Sequence, residues 1–299
     1  MKFFIKTFGC QMNVADSDLI SRTFSGGGWT QTDNPEDADV IVVNTCTVRQ
    51  HAEDRALSYV GRLKKSKIQN PKSKIFIVGC VAARLKDELK RRFPFVDEVI
   101  PATEIENFPE IISSHINLST CQPINPSTAF IPISRGCSNY CSYCIVPYVR
   151  GEEKPIPAEE IVKEVRNRVA SGDGEVMLLG QNVNSYKSLG FSSAEIDFAD
   201  LLRIISEIEG VEKIGFLTSH LKDMTEKIIR TMAQNDKIDK RLHLPVQSGN
   251  DRILKLMNRK YTGDYYLKLI DTIRKIIPDV ILTTDVIVGF PTEKDEEFM

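Results

Sequence analysis

Cysteines 137, 141 and 144 stand within eight residues, in Arg135-Gly136-Cys137-Ser138-Asn139-Tyr140-Cys141-Ser142-Tyr143-Cys144, separated by three residues and then by two. A structural zinc takes four protein ligands, and an electron-transfer 4Fe-4S cluster takes four thiolates. Three thiolates leave one iron open to a substrate or cofactor, so the spacing predicts a catalytic iron-sulfur cluster. Cys141 and Cys144 alone also have the two-residue gap of a zinc pair, with its other ligands elsewhere. A disulfide framework fits poorly: seven cysteines is an odd count, no signal peptide opens the chain, and no apolar run reaches membrane length. The sequence therefore predicts a reduced, cytoplasmic protein with no membrane partner.

Three more cysteines follow directly on β-rich apolar runs. Phe3-Phe4-Ile5-Lys6-Thr7-Phe8-Gly9 precedes Cys10, Val40-Ile41-Val42-Val43-Asn44-Thr45 precedes Cys46, and Ile75-Phe76-Ile77-Val78-Gly79 precedes Cys80. Helix-like segments near 16–25, 51–67 and 82–92 separate them, a pattern that predicts a doubly wound parallel sheet buried on both faces. Ligands of such sheets bind at the carboxyl ends of the strands, where Cys10, Cys46 and Cys80 would converge as a second three-thiolate site. The alternative is that each cysteine is simply a small buried hydrophobe. Residues 121–128 read as a linker, with Cys121 a free loop thiol.

The second half, 129–299, again alternates strands and helices, with strands expected at 129–135, 175–180, 213–218, 241–247 and 281–288. Ala158, Ile161, Val162, Val165 and Val169 share one helical face, as do Leu201, Leu202, Ile205 and Ile208. Tyr266, Leu269, Ile270, Ile273 and Ile277 form a third stripe opened by Thr262 as a cap. Five strand-helix units predict a partial (β/α) TIM-like barrel with its site at the carboxyl ends. Those ends carry the 137–144 cysteines, Gly180-Gln181-Asn182-Val183-Asn184-Ser185-Tyr186, Thr218-Ser219-His220, Gln247-Ser248-Gly249-Asn250, Asp285 and Gly289. Singly, such residues are turns and caps; together they read as a polar pocket, with a structural role at least as fitting for His220 as catalysis. A formal charge of -2, with 41% hydrophobic and 27% charged residues, describes an ordinary globular chain without the basic stripe of a nucleic-acid binder. The final residues, Thr292 to Met299, read as the first turn of a helix, so the chain is expected to be a piece of a longer protein.

The run at 137–144 resembles the signature of radical S-adenosylmethionine enzymes, and the added Cys10, Cys46 and Cys80 are similar to the methylthiotransferases among them. Gly9-Cys10-Gln11-Met12-Asn13, Asn44-Thr45-Cys46, Gly180 to Tyr186 and His243-Leu244-Pro245-Val246-Gln247-Ser248-Gly249 resemble the branch that modifies the tRNA adenosine beside the anticodon. The resemblance covers essentially the whole chain.

That resemblance implies two domains, 1–120 with an auxiliary cluster and 129–299 as a radical S-adenosylmethionine barrel incomplete at its C-terminus. It implies that Cys137, Cys141 and Cys144 hold a 4Fe-4S cluster whose open iron takes S-adenosylmethionine, cleaved by one electron to a 5'-deoxyadenosyl radical. Tyr143, Gln181, Asn182, Gln247 and Ser248 would line the cofactor pocket, and Cys10, Cys46 and Cys80 would hold the 4Fe-4S cluster that donates sulfur. The implied reaction puts a methylthio group on C2 of N6-(dimethylallyl)adenosine at tRNA position 37, using two S-adenosylmethionine molecules. An unactivated aromatic C–H yields to no side-chain base, so a cofactor must do the hard step. The implied partners are the tRNA anticodon stem-loop and an electron donor such as a flavodoxin or ferredoxin, with the enzyme a monomer. Leu221 and Thr292 depart from the family pattern, which has proline after Ser-His and glycine after the later proline; family members also continue into a small β-barrel RNA-binding module. Two alternatives remain: methylthiolation of threonylcarbamoyladenosine or of a ribosomal-protein aspartate, and a non-catalytic iron-sulfur protein.

Overall fold

The computed structural model describes residues 1–116, 128–190 and 194–298. Cys121 and nearly all of the expected linker lie outside the described residues. Within them one compact unit comprises Met1–Ile124 with Ile145–Gly151, and the other Asn125–Cys144 with Glu152–Met299. The stretch just after Cys144, expected in the second domain, thus belongs with the first.

The first unit runs β1 (Lys2–Thr7), α1 (Gln11–Gly26), β2 (Thr30–Gln31), β3 (Val40–Thr45), α2 (Gln50–Gln69), β4 (Lys74–Gly79), α3 (Cys80–Leu85), α4 (Asp87–Arg92), β5 (Glu98–Pro101) and α5 (Phe108–Ser113). Its five parallel strands lie in the order β2-β1-β3-β4-β5. Alternate side chains go to opposite faces. Ile41, Val43, Ile75 and Ile77 pack with Leu57, Val60, Leu63 and Leu89 on one side. Val40, Val42, Phe76 and Val78 pack with Ile20, Phe24, Phe108 and Ile112 on the other. Burial on both faces is why these strands read as unbroken apolar runs. The helix expected over 82–92 begins at Cys80 and breaks at Lys86, whose φ of 41° is left-handed.

The second unit contains β6 (Thr128–Pro132), β7 (Ser134–Arg135), β8 (Lys154–Pro155), α7 (Ala158–Ala170), β9 (Glu175–Leu179), β10 (Lys187–Leu189), β11 (Glu195–Asp197), α8 (Phe198–Ser206), β12 (Lys213–Phe216), α9 (Glu226–Gln234), β13 (Arg241–His243), α10 (Asp251–Leu256), α11 (Gly263–Ile276), β14 (Ile281–Thr283) and α12 (Asp295–Phe298), while α6 (Val146–Arg150) is the helix carried by the first unit. Strands β6, β9 and β12 are parallel neighbours, and so are β13 and β14. A parallel bridge from Ile214 to Ile238 continues the succession. The five strands end short of their expected bounds, and the residues beyond them are loops that carry the polar residues. Gln247 and Val286 still bridge beyond β13 and β14.

Helix periodicity and caps both hold here. Ile161, Val162 and Val165 of α7, Leu201, Leu202 and Ile205 of α8, and Ile228, Ile229 and Met232 of α9 share one core with the strands. Tyr266, Leu269 and Ile270 pack partly buried against it beside buried Ile273 and Ile277. Asp197, Thr225, Asn250 and Thr262 cap α8, α9, α10 and α11 by accepting from backbone N–H groups, each worth about 1 kcal/mol. No helix among the described residues is long and apolar enough to cross a membrane.

Candidate functional site

In the first unit the register sets Thr7 beside Asn44, and Thr45 beside Gly79, so Cys46 and Cys80 each leave their strands one residue later, side by side. Cys10 caps α1 from the next strand end, its N–H donating to Asn13 Oδ1 at 3.3 Å. The approach is close enough that a Cβ on Gly9, at φ 135°, would lie 2.6 Å from Cys46 Cβ. A Cβ on Gly79, at φ 99°, would lie 2.5 Å from the Thr45 carbonyl oxygen. Only glycine fits either place.

A buried polar network holds these ends together. Asn13 Nδ2 donates to Asn44 Oδ1 (2.9 Å) and to the Thr45 carbonyl (3.1 Å); Asn44 Nδ2 donates to the Asn13 carbonyl (2.8 Å) and Ser17 Oγ (3.0 Å). Thr45 Oγ1 donates to the Val78 carbonyl at 2.6 Å, joining β3 to β4. Buried Glu53 accepts from Thr47 and from Arg84, and Arg84 Nε donates to Thr47 Oγ1 at 3.1 Å, which pins the turn after Cys46 to α3.

Cys10 is exposed, whereas Cys46 and Cys80 are buried. Burial pushes the Cys46 thiol up, and pushes the Cys80 thiol up to about 11 although Arg150 opposes it. Arg150, from α6, is buried beside them: its Nη2 donates to Asp16 Oδ2 at 3.1 Å, and its charge acts on the Cys80 thiol. Its neighbour Val149 packs on Cys80 and Ala102. Burial alone would disfavour the cation; Asp16 more than offsets that and keeps it charged.

In the second unit the 137–144 loop leaves β7 through Gly136, at φ 73°. Cys137 and Cys141 are buried and Cys144 is half-buried, with Cys144 N–H closing a turn onto the Cys141 carbonyl at 2.9 Å. Burial pushes the Cys137 thiol up, and Glu153 and Cys141 add to it. The loop is fastened by the segment after α10. Ser142 Oγ donates to the Leu256 carbonyl (2.9 Å), and Asn258 Nδ2 donates to the carbonyls of Asn139 (3.2 Å) and Tyr140 (2.9 Å). Arg259 Nη1 donates to Cys141 Sγ at 3.3 Å and to Tyr143 Oη at 3.4 Å, its Nε to Tyr261 Oη at 2.8 Å, and its Nη2 to the Pro245 carbonyl at 3.3 Å.

Tyr143 therefore stands beside Cys141 and Arg259, its phenol pushed above the usual range by burial. Asn182 is buried with its amide engaged, Nδ2 on Asp223 Oδ2 (2.6 Å) and Oδ1 accepting from His220 N–H (3.2 Å), so it ties the β9 end to the β12 end. Gln181 is half-buried, while Gln247 sits at φ 69° with its backbone paired to Asp285 and Ile287. Buried Ser248 accepts from Asn250 N–H at 3.1 Å. Among the described residues no hydrogen bond joins Gln181, Asn182, Gln247 or Ser248 to the cysteine loop directly; the link runs through Pro245 and Val246, whose carbonyls accept from Arg259 and Tyr261. His220 is buried and neutral: burial, then Arg259 and Lys222, push it down to about 3, and its Nδ1 accepts from Lys222 N–H.

Sequence reasoning assigned no role to Arg150, Asp16, Glu53, Glu153, Asn258, Arg259 or Tyr261. Asn13, Asn44 and Thr45 sat in its motifs without a role.

Among the described residues no three His, Cys, Asp or Glu side chains form a ready ligand set for a single ion. A 4Fe cluster spreads its thiolates over several irons, and the donor sets suit that group. Each triad pairs soft thiols with one buried guanidinium acting on a cysteine thiol. Arg259 has no carboxylate within ion-pair distance among the described residues, and a buried cation needs an anion; the thiolates of a bound cluster would supply it.

Residues 131–299 match the Radical SAM superfamily, and residues 2–101 match Uncharacterized protein family UPF0004. The chain is 45% identical over 304 residues to the tRNA-2-methylthio-N(6)-dimethylallyladenosine synthase of Endomicrobium trichonymphae, covering 100% of this chain and 72% of the relative. It is 44% identical to the synthase of the same name from Clostridium beijerinckii, covering 99% and 69%. Among solved structures, the radical S-adenosylmethionine methyltransferase TsrM from Kitasatospora setae, with cobalamin and a [4Fe-4S] cluster bound, superposes at TM-score 0.68 and 11% identity over 99% of this chain and 71% of that one. The cobalamin-dependent S-adenosylmethionine radical enzyme OxsB superposes at 0.65 and 11%, over 99% and 50%. At such identity these two speak for the fold alone. With relatives this similar along its whole length, the chain belongs to the radical SAM superfamily and, within it, to the family of tRNA-2-methylthio-N(6)-dimethylallyladenosine synthases.

Proposed function

We propose that the chain methylthiolates C2 of N6-(dimethylallyl)adenosine at position 37 of tRNA, consuming two S-adenosylmethionine molecules. The observation that carries this is identity of 42–45% to synthases of that reaction along essentially the whole chain. The two triads of cysteines at strand ends support it. Cys137, Cys141 and Cys144 hold one 4Fe-4S cluster, and Cys10, Cys46 and Cys80 hold the other. When bound, these clusters supply the electron that splits S-adenosylmethionine and the sulfur that is transferred.

The protein's own part is to hold, orient and exclude. Asn258 and Ser142 fix the backbone of the 137–144 loop, so that its thiols keep one geometry through the reaction. Arg259 keeps a positive charge on Cys141 and orients Tyr143, which borders the adenine. Gln181, Gln247 and Ser248 line the cofactor pocket, and Asn182 frames it by joining two strand ends. The domains are 1–120 and 129–299, with the 145–151 segment lent to the first. An electron donor of the flavodoxin or ferredoxin type serves a monomeric, cytoplasmic enzyme whose partner is the anticodon stem-loop. Mass spectrometry of nucleosides from tRNA of cells with and without the gene tests the reaction. Loss of the 2-methylthio-N6-(dimethylallyl)adenosine peak is expected; an unchanged peak would move the substrate to threonylcarbamoyladenosine or a ribosomal-protein aspartate.

A further inference from the structure

The first unit buries one full charge pair next to its three thiols, and the reaction as described gives it nothing to do. Arg150 and Asp16 have side chains only 4% and 1% exposed and lie 134 positions apart in the chain. Buried ion pairs are weak sources of stability, because desolvation of both charges offsets most of their attraction. A pair that only stabilised could be replaced by apolar side chains of like volume. This pair instead holds one arm of the guanidinium on Asp16, while its charge acts on Cys80, the most deeply buried thiol of the triad. Asp16 sits on α1 six positions after Cys10, on the face that also carries Asn13. Cys80 is the first residue of α3, and α6 packs on it through Val149. The guanidinium is thus fixed at a ligand sulfur from two directions.

We infer that Arg150 is a positioning residue for the auxiliary cluster, holding its charge at the Cys80 ligand sulfur and, with Asp16 as its counter-charge, setting the cluster's reduction potential. This rests on the reading that Cys10, Cys46 and Cys80 hold a 4Fe-4S cluster. Cluster potentials follow net charge and hydrogen bonds to the sulfurs. A cation at a ligand sulfur favours the reduced, more negative state, and a neighbouring carboxylate opposes it. The pair is therefore a local dipole with its positive end on Cys80, and each half has a predictable sign. Removing Arg150 takes a cation away from the ligand sulfur and disfavours reduction; removing the Asp16 charge strengthens the cation's effect and favours it. Removing both takes the dipole away as a whole.

The test uses the chain with Cys137→Ala, Cys141→Ala and Cys144→Ala as parent, reconstituted anaerobically so that only the auxiliary cluster is present. Iron per chain, thermal midpoint and an EPR-monitored redox titration are read for Arg150→Met, Arg150→Lys, Asp16→Asn and the Arg150→Met/Asp16→Asn double variant. About four irons per parent chain are expected. At a fixed poise the reduced-to-oxidised ratio falls at least tenfold in Arg150→Met, a shift of about 59 mV for one electron. It rises in Asp16→Asn, and falls less in Arg150→Lys and in the double variant than in Arg150→Met. Midpoint potentials equal to the parent's in all variants, with only the thermal midpoints lowered, would overturn the inference and leave a structural ion pair. Should Arg150→Met fail to fold, Arg150→Lys and Asp16→Asn decide by the same criterion. A parent that holds no iron would instead defeat the cluster reading itself, and the inference with it.

Discussion

Gly79→Ala is the sharpest perturbation of the auxiliary site, because this glycine is the last residue before Cys80 and its backbone admits no side chain. Its φ of 99° and ψ of -153° fall where essentially only glycine is found, at about 1–3 kcal/mol for any other residue. The added methyl would lie 2.5 Å from the Thr45 carbonyl oxygen, 2.7 Å from Asn44 Oδ1 and 3.1 Å from Thr45 N. None of these is the free end of a flexible chain: two are backbone, and Asn44 is locked by Asn13 and Ser17. Overpacking of this kind costs about 1–3 kcal/mol more, so the total is about 2–6 kcal/mol against the 5–15 kcal/mol of a typical fold. Gly28→Ala is the control, also at positive φ (79°) but with nothing within 4 Å of its Cβ, so it should lose only about 1–2 kcal/mol. Urea unfolding of both variants measures the difference, and iron per reconstituted chain reads the site, falling from about eight toward about four in Gly79→Ala alone. Equal losses in the two variants, or full iron in Gly79→Ala, would refute the argument that Cys46 and Cys80 are brought together by close backbone approach.

Replacing Cys10, Cys46 and Cys80 together should leave about four irons per chain, and Cys137→Ala should abolish 5'-deoxyadenosine formation; unchanged iron in the first, or product from the second, would reverse the cluster assignments. Asn258→Ala removes both side-chain bonds to the cysteine loop and should lower iron retention at 137–144 while the auxiliary cluster stays, read by iron analysis in backgrounds lacking one triad. Before reconstitution, iodoacetamide at pH 8 should label exposed Cys10 ahead of buried Cys80, whose thiol is pushed up to about 11; mass spectrometry showing the reverse order would contradict the burial argument. His220, held down to about 3 from its ordinary 6.5, binds its proton more readily unfolded than folded. Its stabilising contribution is thus complete above pH 6.5 and is lost as pH falls toward 3, by up to about 1.4 kcal/mol per unit. Urea midpoints at pH 7 and pH 5 should lie further apart in the native chain than in His220→Gln; parallel behaviour would count against a buried neutral ring.

The sheet of the first unit, and the place of Cys10, Cys46 and Cys80 just past its strands, were legible because they rest on local signals. Apolar runs mark strands, and a cysteine just past each run lies at the carboxyl edge whatever the rest of the chain does. His220 was also readable, as a residue as well suited to structure as to catalysis. What could not be read depends on side chains that meet across long separations. Arg259 reaches Cys141 across 118 positions, and Arg150 reaches Asp16 across 134. Neither arginine breaks a periodicity or completes a motif, so no window of sequence announces its partner. The segment after Cys144 misled for a related reason: it continues the cysteine loop in sequence, yet Val149 and Arg150 find their buried contacts in the first unit. The tie of Asn182 to Asp223 and His220 was not legible, because a strand-end amide shows its partners only once the fold brings them together.

The two arginines share a task and differ in their counter-charge, and that difference bears on the chemistry. Arg259 donates to Cys141 Sγ, and the charge of Arg150 acts on Cys80. Arg150 is matched by Asp16, so its site carries a dipole and little net charge. Arg259, among the described residues, has phenols, a carbonyl and a thiol as its hydrogen-bond partners, so its site carries a whole positive charge in a buried place. Charge sets cluster potential. On the proposed reading 137–144 takes up an electron from outside, and an unmatched cation eases its entry. At Cys10, Cys46 and Cys80, proposed to give up sulfur, the Asp16 carboxylate offsets the cation. Arginine type alone does not divide these roles; one carboxylate six positions after Cys10 does.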